Sequence, residues 1–354
     1  MKILITGGAG FVGSNLAIGI KRNNPSYYIT CIDNLKRRGS ELNVGRLSNE
    51  NINFCHGDVR NIEDLNKYTD ADLILECSAE TAVTAGNDGS SLNIMNTNLY
   101  GTINCLELAR KNMASLIFLS TSRVYPYKSI NQLKYKENKT RFDLLNNQKI
   151  PGASILGISE SFPLKGARSL YGGSKLASEL IIEEYRETFG LKTVINRCGV
   201  LTGPWQMGNA EQGVIAHWIA SYIFNKPLKY IGFGGNGKQV RDILHIGDLY
   251  NLIDYQIHNI DKCDGKQFNV GGGSDNSISL KELNDFVGKA LNKQATVNRC
   301  YEDRFADIRI YITNNTYVTK VTGLKPEIDL NTILDDIISW IFEYKNELKS
   351  FMRS

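Results

Sequence analysis

A glycine-rich turn close to the amino terminus constrains the fold of this chain more than any other feature. The turn, Gly7-Gly8-Ala9-Gly10-Phe11-Val12-Gly13, follows the apolar run Ile3–Ile5 and precedes a helix predicted near Phe11–Lys21. Glycines let a backbone approach a pyrophosphate closely, and the free N–H groups of a helix N-terminus donate to its oxygens. The turn therefore predicts a dinucleotide site formed by Gly7, Gly10, Phe11, Val12 and Gly13.

Short apolar runs alternate with helical patterns through the first half of the chain. Further strands are predicted at Tyr28–Ile32, Ile52–Cys55, Asp72–Cys77 and Leu116–Ser120. Such alternation favours βαβ units. We expect an α/β fold, with a Rossmann doubly wound parallel sheet and a smaller mixed α/β substrate-binding C-terminal domain. The predicted boundaries are 1–198 for the dinucleotide-binding domain, with 240–262 crossing back to it, and 199–239 with 263–354 for the second domain.

The stretch Tyr127–Ser169 interrupts this alternation. It is polar, rich in lysine and asparagine, and longer than a usual connection between secondary-structure elements. An active-site flap and a solvated insertion both fit its composition, and the sequence alone does not separate them.

Composition excludes several classes of protein. With 42% hydrophobic and 22% charged residues, the chain of 354 residues is expected to be globular. Its net charge of +4 is spread along the sequence, which disfavours nucleic acid as a partner. No apolar run reaches the roughly 18 residues of a membrane helix, and the start does not resemble a signal peptide, so we expect a cytoplasmic protein without a membrane partner. Seven cysteines without a CxxC pair and four histidines predict no metal site.

Asp33 extends the dinucleotide prediction to the choice of cofactor. It ends the second predicted strand and lies 20 residues beyond Gly13. A carboxylate at that distance can bind both ribose hydroxyls of the adenosine and would repel a 2′-phosphate, which favours NAD over NADP. The nearby Lys36-Arg37-Arg38 could instead pair with a phosphate, although a solvated loop is the preferred interpretation.

A tyrosine and a lysine four residues apart form the predicted catalytic pair. Tyr171 and Lys175 share one face of a predicted helix. An ammonium beside a phenol favours the phenolate, which could take a proton from a sugar hydroxyl while hydride leaves for nicotinamide. Ser120 and Thr121 end a predicted strand, where hydroxyls face a ligand above the sheet.

These motifs together resemble the extended short-chain dehydrogenase/reductase family, and within it the nucleotide-sugar epimerases. The resemblance covers nearly the whole chain. It rests on the glycine turn, Asp33, Gly57-Asp58-Val59, Asn98–Thr102, Thr121 with Val124-Tyr125, the Tyr171/Lys175 pair and Gly237–Asp242.

The resemblance implies roles for individual residues. Tyr171 would be the base, Lys175 would bridge the tyrosine and the nicotinamide ribose, and Thr121 would assist proton transfer. Further cofactor contacts are implied at Asn34, Asp58, Val59, Ser78, Ala79, Asn98, Ser120 and Cys198. Substrate contacts are implied at Glu80, Thr121, Arg123, Gln206, Gln212, Arg241 and Arg304, with the last two arginines gripping a diphosphate.

Departures from the family pattern narrow the expected reaction. Ser122 and Arg123 occupy the positions where dehydratases and decarboxylases of the family carry an acid, which disfavours elimination of water. The segment Arg197–Val200 lacks the asparagine of UDP-galactose 4-epimerases. The sequence is most similar to CDP-tyvelose (CDP-paratose) 2-epimerases, through Gly203–Gly213 and Gly235–Asp242. Two differences from those enzymes, Glu80 for glutamine and Glu76-Cys77 for His-Leu, leave the exact sugar open.

The resemblance thus implies an NAD-dependent epimerase that acts at C2 of a CDP-hexose in the synthesis of bacterial surface polysaccharide. A nucleotide-sugar 4-epimerase or 4-reductase is the alternative enzyme, and a non-catalytic Rossmann sensor is the alternative from another class. A homodimer is also implied, packed through the helices near Asn98–Lys111 and Tyr171–Phe189.

Overall fold

The computed structural model describes residues 1–81, 91–209 and 212–351. In chain order, the strands are β1 (Lys2–Thr6), β2 (Tyr28–Asp33), β3 (Asn53–His56), β4 (Leu73–Glu76), β5 (Ser115–Thr121), β6 (Tyr135–Glu137), β7 (Phe142–Leu144), β8 (Ala153–Ser154), β9 (Gly157–Ile158), β10 (Thr193–Cys198), β11 (Val200–Thr202), β12 (Leu228–Ile231), β13 (Val240–His245), β14 (Lys266–Val270), β15 (Ser277–Ser279), β16 (Val297–Cys300) and β17 (Ile310–Tyr311).

The helices connect and cover these strands. In chain order they are α1 (Phe11–Asn23), α2 (Glu41–Asn49), α3 (Ile62–Leu65), α4 (Ser91–Met95), α5 (Gly101–Asn112), α6 (Tyr127–Asn131), α7 (Leu170–Phe189), α8 (Val214–Ile223), α9 (Ile246–His258), α10 (Ile260–Cys263), α11 (Leu280–Ala290), α12 (Thr316–Thr322), α13 (Leu330–Glu343) and α14 (Lys345–Phe351). A π-helical turn, Asn96–Tyr100, joins α4 to α5.

Seven parallel strands form the main sheet, in the order β14-β10-β5-β4-β1-β2-β3. Helices α1 and α9 pack on one face, and α5 and α7 pack on the other. Because the central strands β4 and β5 are buried on both faces, their sequences are almost continuously apolar. The predicted Rossmann doubly wound sheet is confirmed.

A second, mixed sheet forms the smaller lobe. Its order is β11-β13-β15, with β17 also pairing β13, and only the β13–β15 pair is antiparallel. Helices α8, α11 and α13 pack around an apolar core beside this sheet. Strand β14, inside the range 263–354 predicted for the second domain, instead pairs β10 in the main sheet, whereas β13, inside the predicted crossing 240–262, belongs to the smaller lobe. The domain boundaries remain a prediction.

The segment 127–169 differs from both expectations for it. It folds into α6 and the antiparallel pairs β6–β7 and β8–β9. Its buried side chains, among them Phe142, Ile158 and Phe162, share one core with Tyr311 and Ile312 of the smaller lobe. Because this core is packed, the segment is neither a flap nor a solvated insertion.

The described residues contain neither a membrane-spanning helix nor a cluster of metal ligands. Within the three described ranges, no helix has the length and apolar character needed to cross a membrane. The same ranges contain no cluster of three or more histidine, cysteine, aspartate or glutamate side chains that could hold a metal ion.

Candidate functional site

The glycine turn forms the tight strand-to-helix connection that the sequence predicts. Gly7 has φ of +64°, and its carbonyl oxygen accepts a hydrogen bond from the Gly10 N–H at 3.0 Å. A Cβ on Gly13 would lie only 2.3 Å from that same oxygen, so α1 can pack against the turn only with glycine there. The first turn of α1 therefore starts directly beside the ends of β1 and β2, with its N–H groups in place for an anion.

Asp33 lies next to this turn at the end of β2. Its carboxylate accepts the Leu35 N–H at 2.8 Å and the Ala9 N–H at 3.2 Å. Burial raises the pKa of Asp33, whereas these backbone hydrogen bonds favour the charged form. The backbone thus fixes the carboxylate beside the turn, where it can accept ribose hydroxyls.

The residues expected at the adenosine end surround one dinucleotide cavity of about 460 Å³. The cavity is lined by Gly7, Gly10, Asp33, Asn34, Asp58, Val59, Ser78, Ala79 and Glu80. Asn34 donates to Asp58 at 2.9 Å, and Arg60 pairs with the same carboxylate at 2.6 Å. Burial opposes ionisation of Asp58, but the hydrogen bonds from Arg60 and Asn34 outweigh it and lower its pKa to about 2.

Two predicted residues lie elsewhere than expected. Asn98, predicted to contact the cofactor, is fully buried in the π-helical turn and does not line the cavity. Its amide accepts the Glu80 N–H at 2.8 Å and donates to the Glu80 carbonyl at 3.0 Å and to Ser174 at 2.9 Å. Asn98 thus holds the loop after β4 through its side chain. Glu80, predicted to contact substrate, lies in the dinucleotide cavity, 3.6 Å from Lys36.

The basic loop after Asp33 reaches the smaller lobe. The side chain of Arg37 donates to the Met207 carbonyl at 3.0 Å and also to the side chain of Gln212. Lys36 and Arg37 remain largely exposed, as a solvated loop predicts, but Arg37 also joins the two lobes across the dinucleotide cavity.

A reaction cavity of about 360 Å³ continues from the dinucleotide cavity, with Gly7, Gly10, Cys77 and Ala79 in both walls. It is also lined by Phe11, Val12, Gly13, Ser120, Thr121, Ser122, Arg123, Tyr171, Cys198, Gln206, Gln212, Arg241 and Tyr311. Predicted cofactor, catalytic and substrate residues therefore meet in one space at the carboxyl ends of the central strands.

Tyr171 enters this cavity from the first turn of α7, opposite the end of β5. The Ser169 side chain caps the helix by accepting the Gly172 N–H at 3.2 Å. Burial raises the pKa of Tyr171 to about 12, although a hydrogen bond with Thr121 and the charge of Arg123 favour the phenolate. A further positive charge near the phenol is needed before it can act as a base at neutral pH.

Lys175 lies one helical turn beyond Tyr171 and is only 1% exposed. Its ammonium nitrogen has no hydrogen-bond partner among the described residues and lies 3.8 Å from the centre of the Phe118 ring. Burial lowers the pKa of Lys175, and the nearby carboxylate of Glu76 opposes this shift. A buried ammonium requires acceptors, and the ribose hydroxyls of a nicotinamide nucleotide supply them, so the lysine and the glycine turn both fit NAD.

Other predicted residues pair within the protein. Ser120 donates to Glu179, which forms a buried ion pair with Arg197 at 2.7 Å. Gln206 accepts the Thr202 hydroxyl at 2.9 Å and donates to the Leu201 carbonyl at 2.9 Å. The side chains of Ser120 and Gln206 therefore support the cavity wall through contacts within the protein.

Arginines line the part of the site that extends from the reaction cavity into a further, distal cavity. Arg123 and Arg241 line both the reaction cavity and a distal cavity of about 360 Å³, which also contains Arg304, Trp218 and Gln239. Burial lowers the pKa of Arg241 to about 10, and Asp307, 3.1 Å away, opposes the shift. These three guanidinium groups can hold a diphosphate between the two cavities.

The sequence assigns no role in the site to Tyr311, and it marks Glu76 only as a difference from related enzymes. Tyr311 is 2% exposed, lines the reaction cavity and has no partner for its hydroxyl among the residues described. It pairs in register with Arg241 across β13 and β17, a neighbour relationship that sequence spacing does not reveal. Glu76 lies beneath the site and is only 1% exposed. Burial raises its pKa to about 7, against the charge of Lys175 and a hydrogen bond from Thr102 at 2.6 Å.

Comparison with known proteins agrees with this geometry. Residues 3–271 match the sequence model of the NAD dependent epimerase/dehydratase family. The chain is 31% identical to CDP-paratose 2-epimerase of Salmonella typhi, over 96% of this chain and 99% of that protein. It is 25% identical to dTDP-glucose 4,6-dehydratase of Salmonella typhimurium, over 99% of this chain and 96% of that enzyme.

Solved structures show the same fold. UDP-glucuronic acid 4-epimerase from Bacillus cereus, in complex with UDP-glucuronic acid and NAD, superposes with a TM-score of 0.79 at 23% identity, over 97% of this chain and 99% of that one. A dTDP-glucose 4,6-dehydratase from Streptomyces venezuelae, solved with NAD, gives a TM-score of 0.81 at 23% identity, over 99% and 100% of the two chains.

Proposed function

This chain belongs to the NAD dependent epimerase/dehydratase family, and from that membership we propose that it inverts C2 of a CDP-hexose of the paratose/tyvelose type. The inversion proceeds through a transient 2-keto sugar. The 31% identity to CDP-paratose 2-epimerase over nearly the full length supports the choice of carbon and nucleotide.

One observation favours epimerisation over dehydration. No aspartate or glutamate of the described ranges lines the reaction cavity. Elimination of water from a sugar needs an acid and a base in addition to the tyrosine. Ser122 and Arg123, which follow Thr121 into this cavity, offer a hydroxyl and a cation instead. The lining of the reaction cavity therefore suits removal and return of hydrogen at one sugar carbon better than elimination of water.

The chain's own residues would perform the proton chemistry. The glycine turn and Asp33 would hold NAD, which would accept the hydride from C2 and give it back to the opposite face of the same carbon. Tyr171 takes the proton of the C2 hydroxyl through its phenolate, which the Lys175 ammonium and the Thr121 hydroxyl stabilise. After the planar keto sugar turns in the cavity, Tyr171 returns the proton to the C2 oxygen.

The arginines hold the part of the substrate that does not react. Arg123, Arg241 and Arg304 grip the diphosphate, and the distal cavity around Trp218 and Gln239 receives the base. A fixed diphosphate lets the hexose rotate while its nucleotide stays bound, which inversion by a keto intermediate requires.

We further propose a homodimer and a cytoplasmic location for the enzyme. Tyr100, in the π-helical turn directly before α5, and Leu180, on α7, are 58% and 56% exposed, so both regions that the sequence assigns to a dimer present apolar side chains. The seven cysteines are all free thiols, which suits a reducing compartment. Light scattering should give the mass of a dimer, and Leu180→Glu should give that of a monomer.

The direct test identifies the nucleotide and the substrate together. The protein is purified without added cofactor, denatured, and its released nucleotide compared with standards by chromatography. Near-stoichiometric NAD, together with interconversion of CDP-paratose and CDP-tyvelose without added cofactor, is the expected result. An empty protein that consumes NAD(P)H with a keto-sugar nucleotide would identify a reductase and overturn the proposal.

A further inference from the structure

The long segment Tyr127–Ser169 is attached to the smaller lobe at several points. The Phe142 N–H donates to the Lys238 carbonyl at 3.1 Å, just before β13. Farther along, the Ile158 N–H donates to the Ile312 carbonyl at 2.8 Å, just after β17. The segment therefore follows the edge of the lobe that carries the substrate arginines.

Asn131, at the end of α6, contacts the loop that follows Arg304. Its side-chain amide donates to the Asp307 carbonyl at 2.9 Å, and its side-chain oxygen accepts the Arg309 N–H at 2.9 Å. One side chain thus satisfies a backbone acceptor and a backbone donor two residues apart, as a neighbouring strand would. This contact fixes the backbone of 307–309 relative to the segment.

The loop that Asn131 holds also carries the diphosphate site. Asp307 accepts from the Arg241 guanidinium at 3.1 Å and from the Ile308 N–H at 2.8 Å, and its own N–H donates to the Arg304 carbonyl at 3.2 Å. A shift of Asp307 would therefore move Arg241 and Arg304, two of the three arginines that line the distal cavity.

The loop depends on support from outside itself. Ala306 adopts φ of +54°, a left-handed conformation that is costly for a residue with a Cβ. The Arg123 guanidinium donates to the Ala306 carbonyl at 3.1 Å from one side, and Asn131 binds Asp307 and Arg309 from the other. Two side chains from outside the loop thus stabilise a strained backbone.

We propose that Asn131 is a positioning residue for the substrate diphosphate, and that segment 127–169 serves substrate affinity through it. Asn131 acts through Asp307 on Arg241 and through the turn at Arg304, without touching the substrate or the cofactor. This inference rests on the proposed function, because it assumes that those arginines bind a nucleoside diphosphate.

The test compares Asn131→Ala with Asn138→Ala, both in the NAD-loaded enzyme. Asn138 is a matched control because it is also half-buried, belongs to the same segment, and among the described residues bonds locally, to Asp143 and Arg141. Titration calorimetry with CDP, and with UDP in parallel, measures affinity. Asn131→Ala should raise the Kd of the nucleoside diphosphate about tenfold, the loss expected for two neutral hydrogen bonds that act indirectly. Asn138→Ala should leave it unchanged.

Kinetics distinguish positioning from a general structural effect. Asn131→Ala should raise KM about as much as Kd while kcat and retained NAD stay near the wild-type values. Asn131→Asp keeps the acceptor for the Arg309 N–H but turns a carboxylate oxygen toward the Asp307 carbonyl oxygen, which repels it, so the Kd should rise at least as much as in Asn131→Ala. This variant, which preserves the size of the side chain, also decides the question if Asn131→Ala does not fold.

Three outcomes distinguish failure of the positioning role of Asn131 from failure of the proposed function. A wild-type enzyme that binds CDP or UDP, with Kd unchanged in Asn131→Ala, overturns the positioning role. A loss of kcat with KM unchanged overturns it as well. A wild-type enzyme that binds neither nucleoside diphosphate contradicts the proposed function instead.

Discussion

The two ends of the site are prepared for their ligands by different means. At the dinucleotide end, backbone groups prevail: the glycine turn opens α1, and backbone N–H groups at Ala9 and Leu35 fix Asp33. At the substrate end, side-chain charges prevail: Arg241 pairs with Asp307, and Arg123 and Arg304 line the same cavity. Backbone shape responds to the addition of a single methyl group, whereas a cluster of charges responds to salt and to the geometry of each guanidinium. The two ends should therefore respond to different changes.

Tyr171 lies between the two ends, so loss of its hydroxyl should stop turnover but leave the binding of both NAD and nucleoside diphosphate unchanged. Tyr171→Phe is expected to lower kcat about 10³-fold, in the range known for loss of a general base. Retained NAD and the Kd for CDP should stay unchanged, as chromatography and calorimetry would measure. Tyr185→Phe on the same helix is the control, because that hydroxyl bonds Glu107 away from the cavities. Substantial turnover by Tyr171→Phe would mean that another group is the base.

A methyl group at Gly13 should affect the dinucleotide end alone. The added Cβ would lie 2.3 Å from the Gly7 carbonyl oxygen and would push α1 away from the turn. Gly13→Ala should lower retained NAD about tenfold or more. Gly45→Ala is the matched control, since no atom lies within 4 Å of its added methyl. Equal NAD content in the two variants would show that the turn does not hold the cofactor.

Salt and Arg241→Lys should affect the substrate end alone. A lysine keeps the charge but loses the planar fork that binds phosphate oxygens in pairs, so KM for the nucleotide sugar should rise about tenfold. Raising the salt concentration should also raise the wild-type KM more than it lowers retained NAD. Arg22→Lys, an exposed arginine paired with Glu50, serves as the control. A fall in NAD content that matches the rise in KM would break the distinction between the two ends.

The last expected effect concerns Glu76, beneath the dinucleotide end, and it changes folding stability rather than ligand binding. Its pKa, raised by burial from 4.5 to about 7, means that the folded protein holds this proton between those pH values and the unfolded chain releases it. Folding stability from this group is therefore lost as pH rises through that window. Glu76→Gln, which mimics the protonated acid, should gain about 2 kcal/mol on the wild type between pH 5 and pH 8.

Denaturant unfolding of the NAD-stripped protein at several pH values measures this difference. Glu107→Gln is the opposite control, because its hydrogen bond from Arg110 lowers the pKa of that carboxyl. A wild type and a Glu76→Gln variant whose stabilities change in parallel with pH would show that Glu76 titrates normally.

The same contrast explains what the sequence could predict. The glycine turn, Asp33 and the Tyr171/Lys175 pair depend on local geometry: a strand-to-helix turn, a strand end, and positions four apart on one helix. Each therefore lies where the sequence pattern indicates. The sheet that carries them was predictable for the same reason, because its apolar runs have the length and burial of parallel strands.

The substrate end depends on contacts between distant segments. Tyr311 reaches the reaction cavity because β17 pairs with β13, and Asn131 reaches the loop 304–309 because α6 packs there. Asn98 points inward because the π-helical turn directs its amide at Glu80, which local spacing does not encode. Tertiary pairing thus decides these positions, and a single sequence gives no direct signal of it.

In the proposed reaction, one carbon of a bound sugar loses and regains the same hydrogen within the protein. The most direct measurement is mass spectrometry of the product formed from a CDP-hexose carrying deuterium at C2, with no cofactor added. We expect inverted product that keeps the deuterium at C2, formed over many turnovers by enzyme that retains its NAD. Product that loses the label to water, or turnover that occurs only with added NAD(P)H, would contradict it.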